Sequence, residues 1–66
     1  MERPQMMTPD EHGPSGNIFI VIGNALNAME EADIGRKYRQ EMKSRVTKAG
    51  SYQEALDIVQ EYVDFV

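Results

Sequence analysis

The stretch Asn17-Ile18-Phe19-Ile20-Val21-Ile22-Gly23-Asn24-Ala25-Leu26-Asn27-Ala28-Met29-Glu30-Glu31-Ala32 decides the fold, because its first half reads both as a strand and as a helix. Ile18 to Ile22 is a run of strand formers, Gly23 would end a strand, and Asn24 would then cap a shorter helix starting at Ala25. Against this, Ile18, Val21, Ala25, Ala28 and Ala32 are spaced three or four apart, and Phe19, Ile22, Leu26 and Met29 form a second stripe beside them. Both stripes keep phase through Gly23, and a lone strand has no obvious partner. A continuous helix over about residues 17–31, capped by Asn17, is therefore expected. Gly23 costs that helix about 1 kcal/mol relative to alanine.

Downstream, Asp33 is a candidate N-cap for a second helix over about 34–49, closed by Gly50 in left-handed geometry. Its apolar face is narrow, with Ile34, Tyr38, Met42 and Val46 recurring every four residues among charged positions, which places it on the surface. Ser51-Tyr52-Gln53-Glu54 is a capping box that opens a third helix over about 52–63, with a broad inner face of Tyr52, Ala55, Leu56, Val59, Tyr62, Val63 and Val66. The final residues, Tyr62 to Val66, read equally as extended chain. The expected fold is all-α, a small bundle of three helices.

Residues 1–15 contain all three prolines and no apolar periodicity, so a flexible N-terminal segment is expected ahead of a single helical domain over 16–66. Thr8-Pro9-Asp10-Glu11 has the form of a capped helical start, which Gly13-Pro14 stops after one turn. A chain of 66 residues has a thin core, and below about 70–80 residues one core rarely supplies more than ~3–5 kcal/mol. With no cysteine for a disulfide and a single histidine, the remaining staple is a second subunit, so a homodimer is expected. The small residues Val21, Ala25, Ala28 and Ala32 invite a close crossing by a second copy of helix one, with helix three of the same chain as the competing occupant.

No apolar run approaches the ~20 residues of a bilayer span, and no cationic patch leads into an apolar stretch at the N-terminus. A cytoplasmic protein without membrane partners is expected. No metal site, cofactor motif or catalytic constellation is found: His12 lies in the segment expected to be flexible, and the carboxylates are dispersed.

The charge distribution is the feature that points to a partner. The net charge is −4, yet six of the seven basic residues fall between Arg36 and Lys48: Arg36, Lys37, Arg39, Lys43, Arg45 and Lys48. Capture of a phosphate-bearing small molecule or a nucleic-acid backbone is one use of such a strip, with Arg36, Tyr38, Arg39 and Lys43 as its ligand-binding residues. A solvated face is the other, in which Glu54, Asp57, Glu61 and Asp64 on helix three pair with it.

The residues Ser15-Gly16-Asn17-Ile18-Phe19-Ile20-Val21-Ile22-Gly23, Ala25, Ala28-Met29, and the close from Gly50-Ser51-Tyr52 to Glu61-Tyr62-Val63 resemble a pattern of short bacteriophage and prophage proteins. The resemblance spans about residues 15–64, and the basic middle departs from it. It implies origin as a phage-type accessory protein and not an activity. Because small accessory proteins of that kind often act by binding, the expected function is a noncatalytic one that counters host antiviral defence, by sequestering a nucleotide or blocking a host protein. The alternative is a protein-binding or structural module that uses the acidic stripe of helix three, as a nucleic-acid mimic or against a basic partner.

Overall fold

The structure, a computed structural model, describes residues 3–66. Its elements are strand β1 (Gln5–Met6), a 3₁₀ turn (Pro14–Gly16), helices α1 (Ile18–Glu31), α2 (Arg36–Thr47) and α3 (Tyr52–Val59), and strand β2 (Asp64–Phe65). The helical reading of residues 18–31 holds through Gly23, where a side chain would meet only open space, so the helix tolerates the glycine without a packing role for it. Asn17 caps α1 as expected, its side-chain oxygen accepting the Phe19 amide at 2.9 Å.

The end of α1 and the start of α2 differ from expectation. Asp33 does not cap α2; it is the one non-glycine residue with positive φ among those described, at 60°. Its amide donates to the Glu30 carbonyl at 3.0 Å and the Ile34 amide to the Met29 carbonyl at 2.9 Å, which is the Schellman closure of α1. Gly35 takes the N-cap of α2 without a side-chain bond. Left-handed geometry strains any residue with a Cβ, so Asp33→Gly should raise stability by roughly 0.5 kcal/mol, after the extra chain entropy of glycine is subtracted. Chemical denaturation checks this, and a destabilised variant would show that the aspartate makes a compensating interaction.

Gly50 is not left-handed either, since no glycine has positive φ. Helix α2 instead tightens at Lys48, whose amide reaches both Ser44 and Arg45 carbonyls. The capping box of α3 forms on one side, with Ser51 Oγ accepting the Glu54 amide at 3.1 Å. The Glu54 carboxylate turns one residue further back and accepts the Gly50 amide.

The core consists of Met6, Val21, Ile22, Ala25, Met29, Met42, Val46, Ala55, Val59 and Val63, with α1 packed against both α2 and α3. Met6 corrects the expectation that residues 1–15 stay out of the core. β1 pairs in parallel with β2, in register Gln5 to Asp64 and Met6 to Phe65, so the chain between them is one long crossover. The Asp64 amide donates to Pro4 at 2.8 Å, Val66 to Met6 at 2.9 Å, and Thr8 back to Val66 at 3.0 Å, so Thr8 extends the sheet and does not cap a helix. Met1 and Glu2, also within that expected segment, lie outside the described residues. The turn that follows brings Gly16 so close to the Asp10 carbonyl that a Cβ there would lie 2.1 Å from it. The Tyr52 hydroxyl then donates to the Gly16 carbonyl at 2.6 Å and fastens this turn to α3. The radius of gyration, 10.9 Å, matches the roughly 11 Å of a compact chain of this length, as it should if the N-terminal residues are folded in.

Candidate functional site

Helix α2 meets the other helices on two different flanks. Towards α3, Arg45 forms a bidentate pair with Glu61, both bonds 2.9 Å, and donates to the Tyr62 hydroxyl at 3.0 Å. The guanidinium carbon lies 5.7 Å from the centre of the Tyr62 ring, and that hydroxyl donates to Glu41 at 2.7 Å. The Arg45 bond holds the Glu61 carboxyl below its usual range, and the same bond holds Arg45 more firmly in its charged form. Burial pushes the Tyr62 phenol up, opposed by its bond from Arg45 and reinforced by its bond to Glu41. Glu41, placed four residues before Arg45, therefore serves Tyr62.

Towards α1, Arg39 is half-buried. Its Nε donates to the Ile34 carbonyl at 3.2 Å, and its terminal nitrogen lies 3.9 Å from Glu30. Because α2 turns by about 100° per residue, Tyr38 lies roughly 100–160° round the axis from Arg36, Arg39 and Lys43. It stands instead at a groove of about 380 Å³ with Arg3, Met29, Ile34, Glu61 and Tyr62. The four residues expected to hold a phosphate together are thus not brought together: Arg39 is engaged inward and Tyr38 is on another side.

What remains facing solvent is a surface the sequence reading did not isolate. Arg36, Lys37, Lys43 and Lys48 are exposed, interleaved with the exposed Gln40, Ser44 and Thr47. Among the described residues none of these four cations has a side-chain hydrogen bond or ion pair, and the one acid of α2, Glu41, is turned to Tyr62. The acids expected on helix three, which ends at Val59 and not near residue 63, are all occupied: Glu54 by Gly50, Asp57 by the Gln53 amide at 2.9 Å, Glu61, beyond the helix end, by Arg45, and Asp64 on β2 by Arg3 at 3.6 Å. The expected pairing of a basic stripe with an acidic one is realised at Arg45 and Glu61 alone.

The small-residue stripe is divided as well. Val21 and Ala25 are fully buried inside the single chain, Ala28 is half-buried and Ala32 exposed, so only the last two are free to meet a second copy. A second groove, about 410 Å³, lies between the start of α1, the end of α2 and the start of α3, lined mainly by apolar side chains with the hydroxyl residues Thr47, Ser51 and Tyr52 among them. Phe19, 77% exposed, stands on its edge.

No helix among the described residues is long and apolar enough to cross a membrane, and no cluster of His, Cys, Asp or Glu there is suited to a metal ion. Comparison with protein-family models, curated proteins and solved structures gives no match for this chain.

Proposed function

We propose that the protein is a noncatalytic binding module that lays the outer face of α2 along a phosphate backbone. The observation that carries this reading is the contrast between the two charged surfaces. Glu54, Asp57, Glu61 and Asp64 are engaged within the chain. Arg36 with Lys43 and Lys37 with Lys48, by contrast, form two exposed rows, about 100–140° apart on the outer side of α2, that have no side-chain partner among the described residues. The one acid beside them, Glu41, is bonded to Tyr62. The same contrast weighs against the acidic stripe as the partner surface.

The shape of the face favours an extended ligand over a single nucleotide. Small ligands are held in concave sites, and neither groove described above is lined by any of the four cations. From Arg36 to Lys48 the face runs about 18 Å, roughly five nucleotides of a strand at ~3.4 Å per step. The net charge of −4 leaves the rest of the molecule repelling the same polyanion, which orients the approach toward α2. An anti-defence role, in which capture withholds a nucleic acid from a host effector, rests on the phage-type resemblance of residues 15–64 and extends this reading.

A fluorescence-anisotropy titration with a labelled DNA oligonucleotide at low salt tests the proposal. The DNA should bind and an uncharged peptide-backbone analogue of the same sequence should not. Equal binding of the two, or binding of neither, would contradict it.

A further inference from the structure

The cationic face and the apolar groove adjoin, and their junction carries an exposed aromatic ring. On α1, Phe19, Gly23, Leu26 and Glu30 are spaced four, three and four apart and share one flank; on α2, Arg36, Arg39, Lys43 and Thr47, spaced three, four and four apart, share another. The ion pair between Glu30 and Arg39 joins these flanks at one end, and the groove lined by both Phe19 and Thr47 joins them at the other. The two helices therefore run antiparallel, with Phe19 on the same groove as Thr47, the last residue of α2 and the end of the row that carries Arg36 and Lys43. Gly23, one turn on from Phe19 along the same flank, has nothing within 4 Å of where a Cβ would stand.

We infer that the backbone bound by α2 belongs to a single-stranded nucleic acid, one of whose bases stacks on Phe19 over the apolar groove. The inference rests on the reading of α2 as a phosphate-binding face. A groove of about 410 Å³ lies within the roughly 300–1,000 Å³ of small-ligand sites. Its walls, from Ile18, Ile22, Val46 and Ala55, carry no charge that would exclude a base, and the Tyr52 hydroxyl on its border is already committed to Gly16. A base inside a duplex is covered on both faces by its neighbours and cannot reach such a ring. A cationic track combined with a stacking platform is the recurrent solution for single-strand capture. Charge complementarity selects this occupant over a second copy of the chain, which would set Arg36 and Lys43 on this flank against the same cations of the other copy.

The test uses the full chain with oligodeoxythymidine of about 15 nucleotides, long enough for a single-strand site of the usual size, and a duplex of equal length. Phe19→Ala should weaken binding of the single strand by about 5- to 150-fold, the range for losing one stacked base. Its salt dependence and its duplex affinity should be unchanged. Because the chain has no tryptophan, Phe19→Trp gives a unique fluorophore on an exposed site, and its emission should be quenched by the oligonucleotide. If single strand and duplex bind alike and Phe19→Ala alters neither, this inference fails while the phosphate-binding reading stands. If no polyanion binds at all, both fail. If the indole emission of the Phe19→Trp variant is blue-shifted in a concentration-dependent dimer and is unmoved by the oligonucleotide, the groove is covered by a second copy and the inference is overturned.

Discussion

Deleting residues 1–8 should abolish the cooperative thermal transition of this protein. The deletion removes Met6 from the core, where it is 7% exposed, together with the whole of β1 and its bonds to Asp64 and Val66. Burying a methionine side chain is worth about 1.5–3 kcal/mol, and each backbone bond adds a net ~0.5–1.5 kcal/mol, part of which is offset by ordering the strand. Against a total of ~3–5 kcal/mol for a domain of this size, the loss leaves little. Val63, wholly buried in the intact chain, would also lose cover as β2 loses its partner strand. Met6→Ala isolates the packing share and should cost about 2 kcal/mol without removing the backbone bonds. A truncated chain that melts within a few degrees of the intact one would show that residues 3–8 rest on the fold without supporting it.

The second large effect concerns binding. Arg36→Glu with Lys43→Glu reverses two of the four unpaired cations and places two acids on the outer face of α2. Both residues are exposed and neither has a side-chain partner among the described residues, so the fold should change by less than about 1 kcal/mol. Affinity for a nucleic acid should fall by more than about 100-fold, because two attractive contacts become repulsive. The reversal Glu54→Lys with Asp57→Lys, on the occupied acidic stripe, should leave affinity equal or higher. Loss of binding in that second variant would move the interface to α3.

The helices are legible in the sequence because their signals are local. Two apolar stripes in phase, a side-chain cap at Asn17 and the Ser51 box are each read within one or two turns, and each is present in the structure. The turn between α1 and α2 misleads for a physical reason: an aspartate before an amphipathic run is a good N-cap, yet a short polar residue also tolerates left-handed geometry, and here it closes the preceding helix. The sheet is illegible because Gln5–Met6 and Asp64–Phe65 lie almost the whole chain apart, and no local pattern announces a two-residue parallel pairing. The charged surface is legible in composition and not in geometry. That Arg39 turns inward, that Arg45 is spent on Glu61, and that Lys37 and Lys48 join Arg36 and Lys43 outside depend on where α1 and α3 sit around α2. Spacing with Ile22 and Leu26 assigns Phe19 to a core stripe; its place at the end of that stripe leaves it 77% exposed.

The dependence of single-strand affinity on salt measures the central claim most directly. Four phosphate contacts at ~0.7 released ions each give a slope of log affinity against log salt near −3, so binding should weaken roughly 50-fold between about 50 and 200 mM salt. In the Arg36→Glu, Lys43→Glu variant, whatever binding persists should show a slope no steeper than about −1.4, since at most two contacts remain. A wild-type slope near zero, or a slope unchanged by the double reversal, would contradict the assignment of α2 as the phosphate-binding face.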